Sequence, residues 1–88
     1  MAHIIAKLSD VEIADVKKQL EADADGHAEQ GMYLEHLWQN SDNPKEVIFL
    51  FRVDNLDNCK QYMEQVHAEA REHDPNVNLP ATMFLQGD

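Results

Sequence analysis

The stretch Glu46 to Asp54, Glu-Val-Ile-Phe-Leu-Phe-Arg-Val-Asp, constrains the fold more than any other part of this chain. In an extended backbone, alternate side chains point to opposite faces. Val47, Phe49, Phe51 and Val53 therefore share one face, and Ile48 and Leu50 share the other. A strand that is apolar on both faces has to be covered on both faces. At 88 residues the chain is expected to form one domain spanning 1–88. A domain of that size has little material for two covering layers. A second copy of the chain is the expected cover for one of them.

The flanking segments supply the remaining elements. His3 to Leu8 is a short β-branched run that reads as another strand buried on both faces. Ser9-Asp10-Val11-Glu12 matches a capping box, with Ser9 as the expected N-cap and Glu12 reaching back. Ile13, Val16, Leu20 and Ala24 follow at helical spacing, and Gly31 is placed to end that helix. Met32 to Gln39 alternates, with Met32, Leu34, His36 and Trp38 on one face and Tyr33, Glu35, Leu37 and Gln39 on the other. It reads as a half-exposed edge strand. Asn40-Ser41-Asp42-Asn43-Pro44 is a turn by composition and makes a hairpin with the strand after it. Asn55 or Asp54 caps a second helix, whose inward stripe is Leu56, Cys59, Met63, Val66 and Ala70. Ala81 to Gln86 is a last strand, with Gly87 and Asp88 expected to fray.

The order strand, helix, strand, strand, helix, strand is the ferredoxin-like βαββαβ arrangement: α+β, with a four-stranded antiparallel sheet and two helices on one face. The first and third strands fall in the centre of such a sheet. They are also the two that are apolar on both faces. The helix-free face would then be an apolar surface larger than a monomer ordinarily exposes, which points to a homodimer formed through the sheet.

Charge narrows the partners. The formal net charge is −10, from 17 acids against 7 bases. Such a surface repels phosphate backbones and anionic lipids, so neither nucleic acid nor membrane is expected as a partner. No apolar run approaches the length of a bilayer span, and the N-terminus lacks the pattern of a signal peptide. The single cysteine, Cys59, excludes an internal disulfide and fits a cytoplasmic location.

The run from Trp38 through Asp57 resembles the hairpin and second-helix start of stand-alone dimeric α+β barrel proteins, in particular the small antibiotic-biosynthesis-monooxygenase-like proteins, some of unassigned function. Asp42, Pro44, Glu46, Val47, Val53, Asp54, Leu56 and Asp57 carry the resemblance, and Gly31 agrees with it. It implies a dimeric barrel. It allows either a cofactor-independent monooxygenase-like enzyme acting on small aromatic molecules or a non-catalytic module that binds a small ligand or serves a structural role. The first helix departs from many relatives in having Val11, Ile13 and Val16 where an aromatic residue often stands.

Chemistry-bearing residues are few. His36 could act as a general base with Trp38 as an aromatic wall, or the two form a pair at the dimer seam. Tyr62 and His67 could contribute to a pocket between sheet and helices shared with His36 and Trp38, or Tyr62 could simply bury its ring. Cys59, Met63 and His67 lie four apart on one helix face and could hold a soft metal ion, but such a row is ordinary core packing. His67 and His73 stand about 120° apart around a helix. No metal is expected. The three glycines, at 26, 31 and 87, are isolated. There is no phosphate loop, and no cofactor is expected.

Overall fold

The computed structural model describes residues 1–87. Strand β1 (Ala2–Leu8) leads to helices α1 (Ile13–Ala22) and α2 (Ala24–Glu29). Strands β2 (Met32–Asn40) and β3 (Asn43–Val53) form the hairpin. Helix α3 (Leu56–His73) and strand β4 (Ala81–Gln86) complete the chain. The four strands form one antiparallel sheet in the order β2-β3-β1-β4, so β1 and β3 are central as their two-sided apolar character requires.

Ala2, Ile4 and Ala6 of β1 and Val47, Phe49, Phe51 and Val53 of β3 are buried, and Val16, Leu20 and Cys59 pack on them from the helices. Directly opposed residues of an antiparallel pair share a face. The register Ile4↔Phe51 and Ala6↔Phe49 therefore puts both sets under the helices, while Ile5, Ile48 and Leu50 look out from the other side. The same rule puts Phe84 on the helix side and Met83 and Leu85 on the open side of β4.

The first helical segment departs from expectation at both ends. Ser9 is not the N-cap. Asp10 takes a left-handed backbone (φ 60) and reverses the chain, and the Val11 N–H bonds to the Lys45 carbonyl at 3.0 Å. That strap onto β3 uses the residues a capping box would have used, so α1 starts only after Glu12, in extended conformation and without a side-chain cap. Glu12 pairs instead with the Lys45 ammonium. The helix also divides at Asp23, whose carboxylate accepts a hydrogen bond from the Gln19 side chain at 2.8 Å.

Gly31 ends α2 as expected. Its φ of +73 suits a residue without a side chain, and its N–H bonds back to Ala28 at 3.0 Å. A Cβ here would meet the Asp54 Cβ at 3.3 Å. The Asp54 N–H in turn bonds to the Gly31 carbonyl at 3.0 Å, locking the start of β2 to the end of β3.

The hairpin turn is tighter than its composition suggested, with only Ser41 and Asp42 between the strands. The Asn40 and Asn43 side chains accept from the Asp42 and Lys45 N–H groups at 2.9 and 3.1 Å. Gln39 opposes Val47 while Asn40 opposes Asn43. Pro44 to Glu46 therefore bulge out of the ladder, where a proline does no harm.

A second irregularity lies in the middle of β2. Leu34 opposes Phe51 but His36 opposes Leu50, which leaves Glu35 as an extra residue. The two faces of β2 thus exchange partners at this point. Met32, Leu34 and Leu37 lie on the helix side, and Tyr33, Glu35, His36 and Trp38 on the open side. The expectation that Met32, Leu34, His36 and Trp38 share a face is corrected accordingly.

Asn55 caps α3, accepting from the Asn58 N–H at 3.0 Å. Leu56, Cys59 and Met63 pack toward the core as expected, but Val66 is 40% exposed and does not complete the stripe. Lys60 does not pair with Asp57 and lies over the Phe84 ring, 5.3 Å from its centre. Gly87 does not fray, since its N–H bonds to the Met1 carbonyl at 2.8 Å. Asp88 is outside the described residues.

Candidate functional site

Between α1 and α3 the helix side of the sheet holds an open cleft of about 930 Å³. Its floor is Met32, Phe49 and Phe51 of the sheet. Val16 and Leu20 line it from α1, and Met63 and Val66 from α3. Val66 thus faces a space where a filled core was expected.

Three polar rings border this apolar floor, those of His27, Tyr62 and His67, beside the carboxylates of Asp10, Glu12, Asp15 and Asp23, the Lys45 ammonium and the amides of Gln19 and Asn78. Tyr62 and His67 are two of the four residues singled out from the sequence. His27 was not among them. Its signal was present, since it follows Leu20 by seven residues and so continues the inward stripe of the first helical segment across the break at Asp23. Its ring sits edge-on to Phe51, with centroids 5.1 Å apart and planes at 73°.

Burial lowers the pKa of His27 below its ordinary value of 6.5, and the nearby Asp23 carboxylate only partly opposes this. Burial lowers that of His67 too, and the Arg71 guanidinium adds to the effect. Both imidazoles are therefore neutral at pH 7, each with one nitrogen able to accept a proton.

The same shifts carry a prediction for stability. Below pH 6.5 the unfolded chain binds protons at both positions while the folded chain resists them, so folding stability falls as pH drops. The paired substitutions His27→Gln and His67→Gln should flatten this decline. Denaturant midpoints measured between pH 7 and pH 5 check it. An equally steep decline in the double variant would show that other groups cause it.

His36 and Trp38 lie on the opposite side of the sheet. Their rings stack with centroids 4.8 Å apart and planes 12° from parallel. The four sequence-selected residues thus form two pairs separated by the sheet, with Tyr62 and His67 in the cleft and His36 and Trp38 on the open face. The bulge at Glu35 is the cause. His36 would have shared a face with Met32 and Leu34 had the alternation run on unbroken.

The open face is a mixed surface. Trp38 is 45% and Met83 60% exposed, with Ile5, Ile48 and Leu50 half-buried between them. Arg52 lies over the Tyr33 ring, 4.7 Å from its centre. Its Nε is 4.0 Å from a Glu35 oxygen, an ion pair across the β2–β3 hairpin. The other Glu35 oxygen is 3.0 Å from His3 Nε2.

The remaining members of the Cys59, Met63 and His67 row belong to the core packing. Met63 packs against the core. The Cys59 thiol is fully buried and donates to the Gln30 carbonyl at 3.3 Å. Burial raises its pKa, and the Asp54 charge adds to this against an opposing hydrogen bond with the Asn55 backbone. It therefore stays a protonated core thiol. No helix among the described residues is long and apolar enough to cross a membrane.

No family model and no curated protein matches this chain. Two solved structures share its architecture over its whole length. One is a candidate antibiotic biosynthesis monooxygenase from Deinococcus radiodurans, with 17% identity and a TM-score of 0.64 over 93% of that protein. The other is an uncharacterized NIPSNAP domain protein from Burkholderia xenovorans, with 15% identity and a TM-score of 0.58 over 95% of that protein. At such identities the likeness is one of fold, and the chain has the ferredoxin-like α+β fold of these two proteins.

Proposed function

We propose that this protein is a homodimer, paired through the open face of its sheet, that binds a small apolar or aromatic molecule in the helix-side cleft of each subunit. The cleft carries this reading. An apolar floor beside a few convergent polar groups is the usual form of a small-molecule site. Here two neutral imidazoles and a phenol border a floor built from Phe49 and Phe51. A filled core would have favoured a purely structural module.

The enzymatic version is a cofactor-independent monooxygenase-like activity on a small hydroxylated aromatic. It draws on the name of the Deinococcus radiodurans neighbour and on what the cleft residues can do. A neutral His27 or His67 can take the proton of a phenol, and Tyr62 can hold an oxygen of the ligand. His36 and Trp38 belong to the dimer seam in this proposal, under the second copy. A cytoplasmic location rests on the single buried cysteine.

Titration with naphthalenemethanol, followed by amide NMR shifts, tests the site. Shifts should cluster at α1, α3 and the Phe49–Phe51 segment. Val66→Trp should weaken binding at least about tenfold by filling the cleft, since every ~1.4 kcal/mol of lost contact is a factor of ten. Val66 is exposed enough for the larger ring to leave the fold intact. Shifts confined to the open sheet face would refute this placement.

A further inference from the structure

We infer that the molecule taken by the cleft carries a positive charge beside its apolar body, as a protonated amine does. This rests on the cleft being the binding site and adds the chemical class of the ligand. Asp10, Glu12, Asp15 and Asp23 line the cleft against a single cation, Lys45. Lys45 is held by Glu12, which cancels one pair of charges. The Gln19 amide bonds to Asp23 at 2.8 Å without neutralising it. Among the described residues no cation lies within ion-pair distance of Asp10 or Asp15.

The other wall offers no compensation from its own lining. Tyr62, Met63, Val66 and His67 are its α3 members, and Asn78, Leu79 and Pro80 come from the segment before β4. Arg71 stands one turn beyond His67, outside the lining. Both lining imidazoles are held neutral by burial. Three carboxylates therefore project their field across an apolar floor, where low-dielectric walls focus it. The net charge of −10 on the whole chain has the same sign. A carboxylate ligand meets repulsion at this mouth. An ammonium meets attraction there and can also lie against the face of Tyr62.

Three probes with one apolar body and different heads separate these possibilities: naphthylmethylamine, naphthalenemethanol and naphthoic acid, each titrated into the full chain at pH 7 in low salt. The amine should bind about tenfold tighter than the alcohol, and the acid more weakly than the alcohol. High salt should compress the series. Joint substitution Asp10→Asn and Asp15→Asn should do the same, with asparagine tolerating the left-handed backbone at position 10. Asp57→Asn, outside the cleft, should leave the series unchanged. An acid that binds as tightly as the amine, or an amine preference that survives the double substitution, would overturn the charge assignment while leaving the cleft as the site. Failure of all three probes to bind would overturn both.

Discussion

Leu50→Asp is expected to turn a homodimer of about 20 kDa into a folded monomer of 10.1 kDa, the mass of one chain. Leu50 stands on β3 opposite Ile5 of β1 and His36 of β2, at the middle of the open face. Within one subunit it is only half-buried, so an aspartate there remains in contact with water and the subunit can still fold. Under a second sheet the same carboxylate would lie in an apolar seam without a partner. An unpaired buried charge costs several kcal/mol, and two-fold symmetry places two of them in each interface. Even about 3 kcal/mol per dimer raises the dissociation constant roughly a hundredfold. Analytical ultracentrifugation across a dilution series reads the outcome. A wild-type chain that is already a cooperatively folded monomer at high concentration would refute the dimer, and so would an aspartate variant that stays dimeric. In the expected case the monomer also melts lower, because association no longer adds to folding stability.

The neighbouring residue should behave in the opposite way. Phe51→Ala is expected to cost about 3–5 kcal/mol of folding stability, the range for removing a buried phenylalanine side chain. Phe51 is 3% exposed, lies on the helix side, and meets Phe49 edge-on at 5.7 Å and the His27 ring at 5.1 Å. Small domains hold only ~5–15 kcal/mol in total, so the loss is a large share of the whole. At about 4–8 °C per kcal/mol for a chain of this length, the melting temperature should fall by roughly 12–40 °C. The damage should also reach the cleft, because the ring forms part of its floor and supports His27. Chemical denaturation gives the stability, and a loss below about 1 kcal/mol would place Phe51 outside the core. Adjacent substitutions on one strand would then act through different faces. Leu50→Asp would act on assembly, and Phe51→Ala on folding and the cleft.

Most of the fold was legible because its signals are local. The alternation in Val47 to Val53 is a property of one extended backbone, and every residue of that run lies on the face its parity assigns. The Asn55 cap and the Gly31 helix end were readable for the same reason, since each depends on backbone geometry within a few residues. The capping box at Ser9 was also a local signal, yet it lost. A hydrogen bond from Val11 to Lys45, more than thirty residues away, used the loop for another purpose.

The candidate site was legible only in part. Tyr62 and His67 follow from the helical period of α3 and do line the cleft. The grouping of His36 and Trp38 on one face with Met32 and Leu34 failed because a bulge is a mismatch between two strands. Its presence at Glu35 depends on how β3 lies alongside, which β2 alone does not encode in any short pattern. Val66 satisfied the inward period of α3 and still lines an open space, since periodicity gives a direction and says nothing about the distance to the facing element.

The order of elements, the two central strands and the need to cover both of their faces are consequences of residue type and spacing, because apolar side chains at period two or 3.6 dictate which surfaces must leave water. The division of β2 between the two faces, the break at Asp23 that carries His27 to the sheet, and the cleft between α1 and α3 were decided by the tertiary structure alone. Each is a relation between segments far apart in the chain, set by pairing register and inter-element distance.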